Sequence, residues 1–510
     1  MLSARHSWTL AACLVLASAC SGPSEPDGAV DAAIDGGPGD AGVDAGPVSC
    51  TTSCASTDWR WDRALTGDGR VTVSSLAMTP SGGVVVTGSF EGTVDLGGGA
   101  RTSTAPVAAY VAAFGPAGEH AWDQTFSGVA SAVSVDDGGD VVVAGWFWDS
   151  ADFGGGPRAA GGDSDAFVAR YSASGEHVWD RVLGAGGVDA ARSVATADGV
   201  VVVTGRFEES VDFGGDDRTS AGRGDAFVAM YDATGALGWV RTAGGAEDDG
   251  GIAVAVDARG GVAWSGAFRG PIDLGGGSRG AVHDVGAFLA RLEGDGAHVW
   301  DRVYLPLGPV PTFVHVSGVD IDASGGIALT GTPGNLTDFG GGPREGNNAF
   351  LAVYASDGAH LWDRVVDSQG SIGRSVALDA RGVLIAGVVD GYSELSSAGE
   401  RRPIGRRDAF VSRYDVWGCP RYHLVLGGAS DDDAAVIAAN EDQIALGGWF
   451  TGEASLGGDV LTGGLAPSGF VVVFAESDAC CAPIEAACGE SSTCCMDVQC
   501  NTGRCRLPGE

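Results

Sequence analysis

The sequence predicts an all-β chain whose main body is a seven-bladed β-propeller of four-stranded antiparallel blades, followed by a small disulfide-rich, knot-like module. Three observations predict it. A Trp followed by a polar pair recurs at Trp61, Trp122, Trp179, Trp239, Trp300 and Trp362, with Tyr422 in the seventh place, at a period of about 60 residues. An alternating apolar run, seen at 109–114 and 166–171, recurs in the same order around Phe227, Phe288, Phe350, Phe410 and Phe470. Glycine supplies 86 of the 510 residues without a Gly-X-Y period, which excludes collagen and favours many turns.

Taken from the N-terminus, residues 1–19 read as an export signal. Arg5 and His6 make a short basic start, residues 8–17 are apolar and too short to span a bilayer, and Ala17-Ser18-Ala19 is a small-residue cleavage site. Cys20 follows directly. The segment resembles a bacterial lipoprotein signal, in which that Cys carries the lipid. The family usually has Leu, Val or Ile three residues before the Cys, whereas here Ala17 holds that place and Leu16 lies one further back. No later run of 18 apolar residues is present. Residues 20–58 form an Asp/Gly/Ala/Pro-rich stretch with little to bury, the composition of a disordered tether.

Residues 59–478 hold the repeats. Residues 193–196 and 200–204 are strand-like and flank the turn Ala197-Asp198-Gly199, while 166–171 and 178–183 flank Ser172-Ala173-Ser174-Gly175. Read as one unit, this gives hairpin, long connection, hairpin, the pattern of a propeller blade. The chain opens on a Trp61 strand with no first hairpin before it and closes on a strand at 470–474 with no Trp strand after it. Pairing 59–66 with 470–474 completes a seventh blade and leaves no open edge.

These units resemble the bacterial β-propeller repeats of exported proteins, the SBBP-like family, in runs such as Ser193-Val194-Ala195 and Asp165-Ala166-Phe167-Val168-Ala169-Arg170-Tyr171. The insert Val211-Asp212-Phe213-Gly214-Gly215 is similar to the version common in myxobacterial surface lipoproteins. The resemblance covers about residues 59–475. It implies the fold, and because most such proteins have no assigned activity it implies little about function.

The polar motifs carry two readings each. The Asp-[Phe/Leu]-Gly-Gly copies at Asp95, Asp152, Asp212, Asp273 and Asp338 are weak candidates for Ca²⁺, since hard cations take oxygen ligands. One carboxylate per blade falls short of the six to eight oxygens Ca²⁺ gathers, and the plainer expectation is an Asp-capped turn with glycines at positive φ and no cofactor. Glu394 and Ser455 stand in the sixth and seventh places. His120, His177, His298 and His360 share one repeat position two residues before the Trp, which suits a structural role because equivalent sites on separate blades cannot chelate one metal. The acids Asp248-Asp249 and Asp431-Asp432-Asp433 look like matching loops, open to a catalytic role in principle.

The tail, 479–510, spaces Cys481, Cys488, Cys494, Cys495, Cys500 and Cys505 like a six-cysteine inhibitor knot, with disulfides rather than zinc expected in an exported chain. Cys50, Cys54, Cys419 and Cys480 remain as further disulfide candidates near the point where the two ends of the chain meet.

The net charge is −36, with 66 acidic residues against 30 basic ones, all Arg. Such a surface repels phosphate backbones, so nucleic acid is not an expected partner. The expected role is a monomeric, exported, non-catalytic binding or scaffold protein for a protein or polysaccharide partner, held at the outer membrane by Cys20 or secreted. The alternative is a propeller lyase or glycoside hydrolase with axial carboxylates. The two differ in symmetry: an enzyme places unlike reactive groups at the axis, while a scaffold keeps its blades alike.

Overall fold

The computed structural model describes residues 56–477, apart from 104, 281–284, 308–312, 335, 367–369 and 391–404, together with the backbone of 499–501 and 504–506. The export signal, Cys20, the tether up to residue 55, Cys50, Cys54, Glu394, the cysteines from Cys480 to Cys495 and the side chains of Cys500 and Cys505 lie outside what is described.

Seven four-stranded antiparallel blades occupy 71–127, 129–183, 190–243, 250–304, 315–365, 372–428, and 432–477 with 56–67. Blade two shows the plan. Its strands Val129–Val135, Val141–Phe147, Asp165–Tyr171 and His177–Leu183 pair in the order of the chain. Short turns join first to second and third to fourth strand, and a small hairpin, Ser150–Asp152 with Pro157–Ala159, is inserted between second and third. Among the described residues there is no helix.

This grouping corrects the unit read from the sequence. Residues 193–204 form the first hairpin of blade three, whose second strand pairs with Asp225–Tyr231, whereas 166–183 belong to blade two. The short link at 184–189 passes between blades, and the long connection at 208–224 stays inside one. Both hairpins are where the sequence puts them; their membership differs.

The first strands are innermost. Their hydroxyls and carboxylates join neighbouring blades directly: Ser131 donates to the Ala191 carbonyl at 2.9 Å, and the amides of Val133, Val254 and Leu378 donate to Ser75, Ser193 and Asp320. Between blades the second and third strands supply an apolar layer. Val142, Ala144 and Val168 of blade two pack with Val194, Val203 and Phe227 of blade three, all buried. Small Ala and Gly let adjacent sheets approach, and each fully buried Val or Phe contributes about 1.5–3 kcal/mol relative to exposure.

Closure is as the sequence requires. Strand Ser56–Gly67 pairs antiparallel with Ser468–Ser477, aligning Trp61 with Val473 and Ala64 with Phe470. The N-terminal strand is thus the outer strand of the blade that holds the end of the chain's last repeat. Pairing begins at Ser56 opposite Ser477, slightly before the expected boundary at residue 59.

Candidate functional site

Each outer strand carries Trp-Asp-Arg or a variant, and its residues point three ways. The Trp indole donates to a carbonyl in the third-to-fourth turn of the next blade: Trp61 to Pro116 at 3.1 Å, Trp179 to Ala233 at 3.0 Å, and Trp300 to Ser356 at 2.9 Å, with Trp122, Trp239 and Trp362 alike. The ring lies on a turn glycine. Gly235 has φ of 79°, and a Cβ there would meet Trp179 at 2.8 Å. Two residues on, Arg181, Arg302 and Arg364 donate to that glycine's carbonyl. The repeated Trp is therefore a fastener between blades.

The intervening Asp turns to its own blade's inserted hairpin. Asp123 meets His120 Nε2 at 2.8 Å and Arg101 Nε at 2.5 Å; Asp180 meets His177 and Arg158, and Asp301 meets His298 and Arg279, in the same way. Asp363 lies 2.8 Å from His360 and is also engaged by Arg344. Burial opposes ionisation of Asp180 and Asp363, yet hydrogen bonds from Arg and His outweigh it and hold both below the ordinary carboxylate range. The departures follow the same logic. In blade three Leu237 and Val240 replace His and Asp, and Arg218 turns to Asp216 at 2.6 Å. In blade seven Trp59 and Leu461 replace His and Arg, and Asp62 is raised by burial and by Asp459.

The hairpins themselves are capped turns. Asp95 Oδ1 accepts from the amides of Gly97 and Gly99, and Asp152, Asp273 and Asp338 repeat the pattern; Asp212 accepts from Gly214 and Gly215. The glycines concerned have φ near +100°, a region L-residues avoid. Each of the five acids caps the turn of its own hairpin, on a separate blade, which gathers no ligand set for Ca²⁺. Ser455, the seventh-blade counterpart, pairs with Gly427 of the preceding outer strand.

The sequence missed a third set. Asp165 and Asp189, Asp225 and Asp249, and Asp408 and Asp432 sit at the starts of third strands and in the links between blades, and all six are buried. Asp165 Oδ2 accepts from Gly161, and Asp189 Oδ1 accepts from the Glu208 amide. Asp165 Oδ1 has no hydrogen-bond partner, Asp189 takes a further, weaker bond from the Ala185 amide, and Asp165 Oδ1 and Asp189 Oδ2 both face Gly184, where a Cβ would lie 2.6 and 2.8 Å from them. Burial, with a smaller push from Asp165, raises Asp189 to about 7; burial likewise raises Asp249 to about 6 and Asp432 to about 7. The common spacing of 24 residues was the available signal. Of the loop acids noted in the sequence, Asp249 and Asp432 belong to these pairs. Asp248 bonds Arg206 at 2.9 Å, Asp431 faces Arg406 at 3.4 Å, and Asp433 pairs with Arg374 at 3.0 Å. As loop acids they do not converge on one site.

Where the ring is joined, Tyr422 replaces Trp because no third-to-fourth turn exists in blade seven. Its hydroxyl donates to Glu476, which also takes Arg413 at 2.9 Å, and Arg413 bonds Asp379 at 2.7 Å. Cys419 is buried in the adjoining blade-six turn, where Val416 and Trp417 are exposed.

No family model matches the chain, and no curated protein matches it. Among solved structures, the crystal structure of the WD40 β-propeller domain of Doa1 is similar at 10% identity and TM-score 0.40, covering 82% of this chain and 97% of that one. Sqt1 from Chaetomium thermophilum is similar at 10% identity and TM-score 0.40, covering 83% of this chain and all of the other. The assignment of seven blades rests on the strand pairing of this chain itself.

Proposed function

We propose that the protein is an exported, lipid-anchored propeller that acts as a non-catalytic binding or scaffold protein for a polysaccharide or protein partner. One observation carries the reading: the repeated polar residues are committed to holding the ring together. The Trp and Arg of the outer strand fasten neighbouring blades, the His–Asp–Arg sets pin the inserted hairpins, and the Asp-Gly-Gly acids cap turns. A catalytic pair of carboxylates needs a substrate between them. The paired acids of this chain are buried at blade junctions instead. A disulfide at the buried Cys419 belongs to this reading, since such bonds persist in the oxidising compartments to which exported chains are sent.

Affinity electrophoresis tests the binding role: the full chain is run through gels cast with single cell-envelope polysaccharides. Retardation in a subset of gels supports the reading. Equal mobility in every gel, with no binding to envelope proteins in a matched overlay, overturns it. Labelling with a fatty-acid analogue tests the anchor. The expected result is label on the wild type and none on Cys20→Ser; label kept by the variant, or absent from both, refutes lipidation at Cys20.

A further inference from the structure

Every inner strand carries a β-bulge at the same place. In blade three the register slips between Ala191 and Ser193, leaving Arg192 unpaired in the ladder, and the same slip recurs in the other six blades. A bulge turns a side chain out of the ordinary alternation. The seven residues so placed are Ser74, Ser131, Arg192, Ile252, Ser317, Arg374 and Ala435, and all stay solvent-accessible although their strands are innermost. They therefore line the axis, towards the face on which the first strands begin.

The charge of this lining opposes that of the chain. Acidic residues outnumber basic ones by 66 to 30, yet the axial set holds two guanidiniums and no carboxylate. Blades three and six stand nearly opposite one another in a ring of seven, which sets the Arg192 and Arg374 positions on opposite sides of the axis. Arg192 lies over the Trp146 ring at 5.0 Å and, among the described residues, has no hydrogen bond or ion pair. Burial by surrounding strands and the nearby Arg206 charge both lower its pKa, although its open side remains exposed to solvent. Arg206 is already engaged, by Glu208 at 2.6 Å and Asp248 at 2.9 Å. Arg374 shares Asp433 at 3.0 Å, and its charge, after burial, lowers the His315 pKa. Arg192 therefore keeps an uncompensated guanidinium within a chain of net charge −36, and a planar fork of this kind matches an oxyanion.

We propose that the axial mouth is a binding site for a compact oxyanion, held between Arg192 and Arg374. The carboxylate of an acidic sugar residue is the source that fits a polysaccharide partner; that source rests on the functional reading above, whereas the site does not. Trp146 orients Arg192 from behind and leaves the guanidinium edge for the anion.

The test is calorimetric titration of the full chain at low ionic strength with sulfate, inorganic phosphate, galacturonate and neutral galactose. The anions bind and galactose does not. Arg192→Gln, which breaks no hydrogen bond or ion pair among the described residues and loses only the contact with the Trp146 ring, weakens anion binding about tenfold or more. Arg241→Gln, an exposed residue on the outer edge of blade three, leaves it unchanged. Arg374→Gln weakens binding as well, and its melting curve reports any cost of freeing Asp433. Absence of binding by every anion overturns the site, as does equal binding by Arg192→Gln and wild type, or by galactose and galacturonate. Polygalacturonate separates this proposal from the functional one. Anions bound but no polymer retained in gels leaves the site standing and counts against an acidic-sugar source. Polymer retained equally by wild type and Arg192→Gln supports the binding role and refutes the axial site as the place where the polymer is held.

Discussion

Replacing Asp165 by asparagine changes the pH dependence of stability in a direction the buried pair dictates. Asp189 titrates near 7 in the folded chain, chiefly because it is buried and secondarily because Asp165 faces it. In the unfolded chain it titrates near 3.9. The folded state therefore binds more protons between those values, so stability is full below about pH 4 and is lost as pH rises through about 7. At 1.36 kcal/mol per unit the loss reaches about 4 kcal/mol for this one group as an upper bound. The substituted side chain keeps an oxygen for the Gly161 amide and turns its NH₂ toward Asp189 Oδ2. That removes one negative charge and supplies a donor, returning about 1–2 kcal/mol above pH 7. The assay is the guanidinium unfolding midpoint followed by Trp fluorescence at pH 5 and pH 8. Wild type loses stability from pH 5 to pH 8, with Asp249, Asp320 and Asp432, each raised chiefly by burial, adding to the fall. The variant loses less, and its advantage appears only at the higher pH. An equal offset at both pH values refutes the argument, since it points to lost packing and not to the ionisation of Asp189.

Gly235→Ala forces an L-residue to φ near +79° and drives its methyl into Trp179, so it should cost about 1–3 kcal/mol and lower the unfolding midpoint; no change refutes the fastener role of the turn glycine. Asp180→Ala leaves His177 and Arg158 without their shared partner, and is expected to cost about 1–3 kcal/mol at pH 7. Because Asp180 titrates below its ordinary value when folded, that difference should shrink as the pH falls through its folded pKa; a cost independent of pH contradicts the assignment. Non-reducing peptide mapping should find Cys50 or Cys54 joined to Cys419 or Cys480 across the ends of the ring. Cys50 paired only with Cys54, and Cys419 only with Cys480, contradicts that placement.

The blades were legible because their markers are tied to geometry that repeats around the ring. A Trp that must reach the next blade's turn recurs at one spacing, and the Tyr422 departure falls where that turn is missing. Closure was legible because Ser56–Gly67 and Ser468–Ser477 belong to one blade split between the two ends of the chain. The grouping of 166–183 with 193–204 went astray because two connections of different length alternate, and a sequence does not say which one changes blades. Buried acids were illegible singly: Asp165 reads as the start of a strand and Asp189 as a turn, and their opposition comes only from the fold. The axial arginines were hidden for another reason. A bulge adds one residue to a strand and shifts its alternation by a single step, too small a break to see in strands this short, so Arg192 and Arg374 read as ordinary strand positions.

The central claim is that the polar residues of this propeller hold it together and present a binding surface, and that no bond in the partner is broken. The most direct measurement is the chain length of a retained polysaccharide, followed by size-exclusion chromatography during prolonged incubation with the full chain. The account predicts a polymer that co-elutes with the protein and keeps its length. Progressive shortening, lost in a variant of a buried acid such as Asp249→Asn, would contradict it.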